Sequence, residues 1–366
     1  MIGPDPDRPA HRLPRGFLGM LALVAAVELT ISARRLDFTT VWADDWHLSA
    51  SAATRKAKGR DVLCFGDSLI KCGVLPRVIE ARTGLRAYNL AVNAGTMPSA
   101  YFMLRRALES GARPRAIVAD FFALMLPDLS GHHVRNYPEM ATARDCLDLA
   151  WTARDPDFFA ATILGKLLPS CKCRFEIRAG IRAAFDGRRA SPWPSQSAIW
   201  ATWKHEDGAQ PLHPMTEKWA ADPVLVAAVS PDAWAVDRVN AVYCERFLGL
   251  AASRGIPVFW LIPPLSTEVR ARRDLRGADA SYSRFARAAL ESHPDLTVLD
   301  ARGSGYDSVH VDAIHIDRRG AAALTADLAS VVADRLRGDH TAGRWVELPP
   351  FAGRLGRTEP PGKSGN

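Results

Sequence analysis

Apolar and polar positions along the chain follow two periods. Short apolar runs of strand length recur at 61–65, 86–91, 115–120, 256–262 and 296–300. Runs that do not alternate with polar residues suit strands covered on both faces. Between them the apolar positions fall at helical spacing. Leu69, Cys72, Leu75, Val78 and Ile79 mark 68–83, closed by Gly84, and Tyr101, Leu104 and Leu108 mark 99–110, closed by Gly111. A helix is expected over 281–292, and Leu324, Leu328, Val331 and Leu336 mark 320–336. Strands separated by helices predict βαβ units and a parallel sheet with helices on both faces.

One interval breaks this rhythm. Residues 121–255 between the third and fourth strands are too long for one crossover and are read as an insertion. It carries helical patches at 146–149, 158–168 and 236–252 and a Trp- and Pro-rich stretch at 191–214. The expected organisation is an N-terminal signal-anchor or signal segment over 1–35, a polar linker over 36–60, an α/β domain over 61–338, and a disordered Gly-, Pro- and Arg-rich tail over 339–366.

Residues 16–27 (GFLGMLALVAAV) form an almost unbroken apolar run between Arg8, Arg12 and Arg15 on one side and Arg34 and Arg35 on the other, with Glu28 interrupting it. About 16 helical residues span ~24 Å, short of a ~30 Å hydrocarbon core. A signal-peptide core is typically ~7–15 residues. The readings are an uncleaved signal-anchor, then a cleaved signal (Ser49–Ala52 as a conceivable site), then a buried amphipathic helix. The segment makes the membrane a partner and puts the body outside the cytoplasm, in a periplasmic-type location. Positive charge on both flanks leaves orientation open.

Composition narrows the function classes. The 366 residues are 48% hydrophobic and 24% charged, which is globular and excludes disordered, collagen-like and coiled-coil chains. The net charge of +7 comes from scattered Lys and Arg, read as a solvated surface; with no zinc-finger, basic-zipper or RNA-binding motif, no nucleic-acid partner is expected. Six Cys are too few for a disulfide scaffold, and no paired C-x₂-C spacing supports a metal. In an exported domain Cys146 is a candidate to bridge Cys171 or Cys173, while Cys64 and Cys72 read as buried apolar residues. Asp128 with His132 and His133 reads as a polar loop. No Gly-rich phosphate loop is present, and no cofactor is expected.

The candidate chemistry lies at two distant points. The first strand runs into Gly66-Asp67-Ser68-Leu69 and then directly into a helix. A serine on such a turn has backbone N–H donors and the positive end of a helix dipole beside it. The same residues also suit plain N-capping. Residues 306–317 read YDSVHVDAIHID, with Asp312 and His315 three apart in the loop after the fifth strand. Loops at the carboxyl ends of an α/β sheet line one edge, so these two can meet. A nucleophilic serine needs a base, and the base an orienting carboxylate. Ser68, His315 and Asp312 supply the three types; the plainer alternative is a surface-loop histidine.

On Phe65-Gly66-Asp67-Ser68-Leu69, and on Asp312-Ala313-Ile314-His315 followed by Ile316, Asp317 and Gly320, the chain resembles the SGNH, or GDSL, hydrolase family. The resemblance covers the strand pattern over 61–120 and 256–336. It implies a flavodoxin-like three-layer α/β/α fold, here with a five-stranded parallel sheet. It also implies that Ser68 attacks an ester carbonyl, His315 shuttles the proton and Asp312 holds the imidazole. A second D-x-x-H, Asp307 to His310, competes; His315 is preferred because Asp317, Gly320 and the last helix follow it at the family's spacing.

Two departures bear on the oxyanion hole, to which the backbone of Ser68 is one candidate donor. The glycine of the family's second block corresponds to Gly95, about one residue late, with the Ala94 N–H as a substitute. The third block's asparagine is absent: the third strand leads into Asp120-Phe121-Phe122-Ala123. An ionised carboxylate cannot donate, and losing one such donor typically costs ~10²–10³ in rate. Asn93 or a residue of the insertion is the candidate replacement, although Asn93 also reads as a turn residue. That family's relatives among exported polysaccharide O-acetyltransferases share the Ser/His/Asp set, so the resemblance also implies acyl transfer. Three functions therefore stay open: an esterase acting on an O-acyl, probably acetyl, ester of a small molecule or carbohydrate; an O-acetyltransferase for a cell-surface polysaccharide; and a catalytically idle glycan-binding protein. Trp193, Trp200, Trp203 and Trp219 either stack on sugar rings or pack locally.

Overall fold

A computed structural model of the chain describes residues 14–34, 38–127, 133–188, 193–215, 226–227, 229–231, 233–339, 341 and 343–351. Its centre is one all-parallel sheet of six strands: β1 Val62–Phe65, β2 Ala87–Asn89, β3 Ala116–Ala119, β4 Val258–Ile262, β5 Leu296–Asp300 and β6 Trp345–Glu347. The spatial order is β2-β1-β3-β4-β5-β6. Val62 pairs with Ala87 on one side and Ala116 on the other, so β1 lies inside the sheet. Side chains alternate between two cores. Leu63, Phe65, Ile117 and Trp260 enter one, and Val62, Cys64, Val118 and Phe259 the other. Both faces are covered by helices, which is why these strands carry no polar alternation.

The helices before β3 are α1 Arg15–Ala33, α2 Val41–Arg55, α3 Ser68–Gly73, α4 Pro76–Thr83 and α5 Met97–Glu109. Between β3 and β4 lie α6 His133–Met140, α7 Ala143–Ala153, α8 Pro156–Leu167, α9 Pro169–Lys172, α10 Arg174–Phe185, α11 Trp193–His205 and α12 Arg238–Ala252. Then come α13 Thr267–Leu275, α14 Ala278–Ser292 and α15 Arg318–Leu336. α2, α5, α12 and α14 cover the face of Leu63 and Phe65. α3, α4 and α15 cover the opposite face. α12 therefore belongs to the main core, as the crossover into β4, rather than to an appended segment.

Three expectations are corrected, and one alternative is set aside. Residues 36–60 are not a linker: α2 fills much of that stretch and buries Trp46, Ala50 and Ala53 in the core. Small alanines and serines carry its apolar face, so its hydrophobicity is low although its packing is tight. The single helix over 68–83 is two, because Pro76 cannot continue α3 and instead opens α4 as its first residue. The sheet has six strands, not five, and residues 345–351 of the supposed tail form its edge. β6 pairs with β5, and Phe351 stacks on Tyr306 with ring centroids 4.8 Å apart. A three-residue edge strand is too short to show a period in sequence. Residues 352–366 lie outside the described residues. Finally, α1 is not a buried amphipathic helix. It is 19 residues long with mean hydropathy 1.9, only 6% of its apolar window is buried, and it alone among the described residues is long and apolar enough to cross a membrane.

Candidate active site

The connection from β1 to β2 runs over one face of the sheet and that from β2 to β3 over the other, so the chain changes sides beside β1. Such a switch opens a crevice at the carboxyl ends of the strands. The turn after β1 is built by Gly66 and Asp67. Gly66 has φ +143, and a Cβ there would lie 1.7 Å from Asp120 Oδ1, so no other residue fits. Asp67 caps α3, its Oδ1 accepting from Leu69 N at 2.7 Å. Ser68 is thereby the first residue of α3, half-buried, at the crevice.

The loop after β5 arrives opposite it. His315 Nε2 lies 2.8 Å from Ser68 Oγ, and His315 Nδ1 lies 2.7 Å from Asp312 Oδ2. The other Asp312 oxygen accepts from Ile314 N at 2.9 Å and His315 N at 2.8 Å. Partial burial opposes ionisation of Asp312, but the imidazole and these two N–H groups outweigh it and hold the carboxyl below the usual carboxylate range. The loop is clamped where α15 starts. Asp317 caps that helix through Arg319 N at 2.8 Å and Gly320 N at 3.1 Å. A Cβ on Gly320 would meet Val309 at 2.7 Å.

The competing D-x-x-H has a different place. Asp307 accepts from Thr267 N at 2.8 Å and Thr267 Oγ1 at 2.7 Å, which ties the loop to α13. His310 is buried, its Nδ1 3.0 Å from Tyr306 O, and burial pushes its pKa down, keeping the ring neutral. Neither residue is hydrogen-bonded to Ser68.

The oxyanion candidates need correction. Gly95 N already donates to Val92 O at 2.9 Å. Gly95 is needed for another reason: a Cβ there would sit 2.4 Å from Gly66 O, where the two loops press together. Asn93 is also engaged. Its N donates to Asp45 Oδ2 at 2.7 Å, and its Nδ2 to Asp45 Oδ2 at 3.1 Å and Gln210 Oε1 at 3.2 Å. The N–H groups of Ser68 and Ala94 make no hydrogen bond to any described residue. Ala94 holds φ +53, a left-handed conformation that costs a non-glycine residue energy.

Residues that the sequence reading missed hold this loop. Lys71 Nζ pairs with Asp45 Oδ1 at 2.7 Å, both side chains fully buried, and donates to Ala91 O at 2.8 Å and Ser49 Oγ at 3.1 Å. Trp46 Nε1 donates to Asn93 O at 2.8 Å. The one signal available was a lysine among the apolar residues of α3; its partners lay in the supposed linker.

Where the third block's asparagine was expected, Asp120 faces Asp67. Asp120 Oδ1 accepts from Asp67 N at 3.1 Å. Burial, reinforced by the Asp67 carboxylate, pushes the Asp120 carboxyl well above the usual carboxylate range. A carboxyl with a raised folded pKa favours folding below its unfolded pKa, and that contribution is lost as pH rises through the folded value. Asp120→Asn reproduces the neutral acid. It is expected to exceed wild type in stability by a margin that is larger at pH 8 than at pH 5, as read by urea unfolding at both pH values.

All six cysteines are free, so the Cys146 bridge is not formed. No metal-binding group of three or more His, Cys, Asp or Glu occurs among the described residues. Trp203 is buried, edge-on to Tyr88 at 6.0 Å and facing Lys71 Nζ at 5.7 Å, which is packing and not a sugar platform. Trp200 is half-buried, with Lys204 Nζ 5.9 Å from its ring. Asp128, His132 and Trp219 lie outside the described residues, as do the side chains of His133 and Trp193.

The sequence matches no protein-family model, and no curated protein matches it.

Proposed function

We propose that this chain is a serine ester hydrolase of the SGNH, or GDSL, type that cleaves an O-acyl ester, with acetyl as the first acyl group to test. The observation that carries the reading is the continuous relay from Ser68 Oγ through His315 to Asp312, at 2.8 and 2.7 Å. The strand order β2-β1-β3-β4-β5, the flavodoxin-like arrangement, and the position of the serine directly after β1 at the switch point support it.

In the first step His315 Nε2 takes the hydroxyl proton as Ser68 Oγ bonds to the carbonyl carbon. Asp312 holds Nδ1 and stabilises the imidazolium that forms. The carbonyl oxygen becomes an oxyanion, received by the N–H groups of Ser68 and Ala94. Collapse breaks the bond to the alcohol oxygen, which leaves with the proton from His315. Water, deprotonated by the same nitrogen, then attacks the acyl carbon; the bond to Ser68 Oγ breaks, Oγ takes the proton back from His315, and the acid leaves. A sugar hydroxyl in place of water would make the same site an acyltransferase.

Hydrolysis of a small acetyl ester, together with labelling of Ser68 by a fluorophosphonate probe, tests the proposal. Folded wild-type protein that neither turns over the ester nor takes the label would overturn it in favour of an idle binding protein. Product analysis with and without a sugar acceptor distinguishes hydrolysis from transfer. The two histidines make a sharper test. His315→Ala is expected to lower kcat/KM by about 10³-fold or more. His310→Gln, in a ring that only braces the loop, is expected to stay within about tenfold of wild type. The reverse ranking would move the relay to Asp307 and His310.

α1 acts in this reading as a signal-anchor, holding the domain at the membrane on the side away from the cytoplasm. Recovery of full-length protein from the soluble cytosolic fraction would overturn that assignment.

A further inference from the structure

The segment between β3 and β4 carries apolar side chains that the fold does not cover. Phe185 is 88% exposed, Trp151 84% and Leu167 70%, and Leu164, Phe175 and Ile181 are also exposed. They stand on α7, α8 and α10. α7 packs on α8, α8 on α9 and α9 on both α10 and α1, so these helices form one connected body with the N-terminal apolar helix.

The contact with α1 sets a level. Glu28 accepts from Ser170 N at 3.0 Å and from the Ser170 hydroxyl, at the start of α9. A carboxylate is costly in hydrocarbon and is held at the aqueous boundary or satisfied by partners. If α1 enters a bilayer, Glu28 and Ser170 therefore mark the headgroup region. Leu167, three residues before Ser170, and Phe175, five after it, are the exposed large apolar side chains that flank this contact in the chain.

α10 has the composition of an in-plane helix. Ile177, Ile181 and Phe185 recur every fourth residue, and Arg174, Arg178 and Arg182 form the neighbouring row. An apolar stripe bordered by arginines matches the boundary between acyl chains and anionic headgroups. The stripe is continuous with α1: Ile177 lines one apolar groove with Ala26, Val27, Thr30 and Ile31.

We infer that the α8–α10 surface lies in the lipid interface, with Leu167, Ile181 and Phe185 among the acyl chains and the α10 arginines on anionic headgroups. This inference rests on α1 being a retained membrane helix. It would also keep the serine near the bilayer. α2 begins eight residues after the end of α1, and its Asp45 holds the Asn93 loop. The ester would then be met close to the membrane surface.

The test uses the full chain reconstituted in vesicles of phosphatidylcholine and phosphatidylglycerol. A benzophenone amino acid is placed singly at Phe185, Leu167, Leu21 of α1 and Leu275 of α13, the last 87% exposed. Irradiation followed by mass spectrometry is expected to give lipid adducts at 185, 167 and 21 and none at 275. Adducts at 21 alone would overturn the inference and leave the anchor standing. Absence of adducts at 21 as well would overturn the anchor reading with it. Adducts joining two protein chains through 185 would reassign the surface to self-association. Arg178→Glu with Arg182→Glu is expected to cut the yield at 185 by about threefold or more; an unchanged yield would overturn the role given to the arginine row.

Discussion

Ser68→Ala is expected to lower hydrolysis of a small acetyl ester by about 10⁴–10⁶-fold, with the fold intact. The substitution deletes one oxygen from a half-buried side chain whose hydrogen-bond partner is His315 Nε2. Asp67 still caps α3 through Leu69 N, Gly66 still turns under Asp120, and Asp312 still holds the imidazole. What disappears is the atom that bonds to the acyl carbon. The residual rate would come from the ring acting on water and from the two N–H donors. Steady-state kinetics, with circular dichroism as the control for folding, reads the result. Activity retained within tenfold would mean that the ester is cleaved elsewhere, and the proposed function would fall.

The largest effect on stability is expected from Lys71→Met. Lys71 and Asp45 are both fully buried, 2.7 Å apart. Removing one partner of such a pair leaves the other charged and unpaired, at a cost of about 3–5 kcal/mol. Burial already pushes the Lys71 pKa down, against the pull of the Asp45 carboxylate, so the ammonium depends on that partner. The damage should spread, because Asp45 also accepts from Asn93 N and Nδ2, and Lys71 also donates to Ala91 O. The loop carrying Ala94 would then lose its brace, and kcat should fall with stability. Lys71→Met combined with Asp45→Asn keeps an acceptor for Asn93 N and buries no charge. That double variant is expected to recover most of the lost stability. Urea unfolding of the two variants decides it; equal losses would show that charge burial is not the cause.

Much of the site was legible in the sequence because its two halves are local patterns. Gly66 to Leu69 is a strand-to-helix turn, and Asp312 to His315 is one turn of chain closed by backbone N–H groups. Gly66 and Gly95 both stand where a Cβ would strike a neighbouring loop. The loop donors were less legible. Asn93 and Gly95 fit the chemistry by residue type, but their N–H groups are taken by Asp45 and Val92. Asp120 stood as a missing donor in the sequence; in the fold its carboxyl lies beside Asp67 and is pushed well above the usual carboxylate range by burial.

The sequence by itself determined the α/β class, the positions of five strands and the apolar N-terminal helix, and it named the serine, histidine and aspartate that the fold brings together. All of these depend on hydrophobic period, turn chemistry and residue type within a few positions. Only the tertiary structure decided that α2 is core, that β6 closes the sheet edge, and that Asp45 and Lys71 secure the loop beside Ser68. Each of those depends on a partner far away along the chain. A short edge strand, a helix of small residues and a buried charge pair acquire their meaning from what they pack against, which no local period carries.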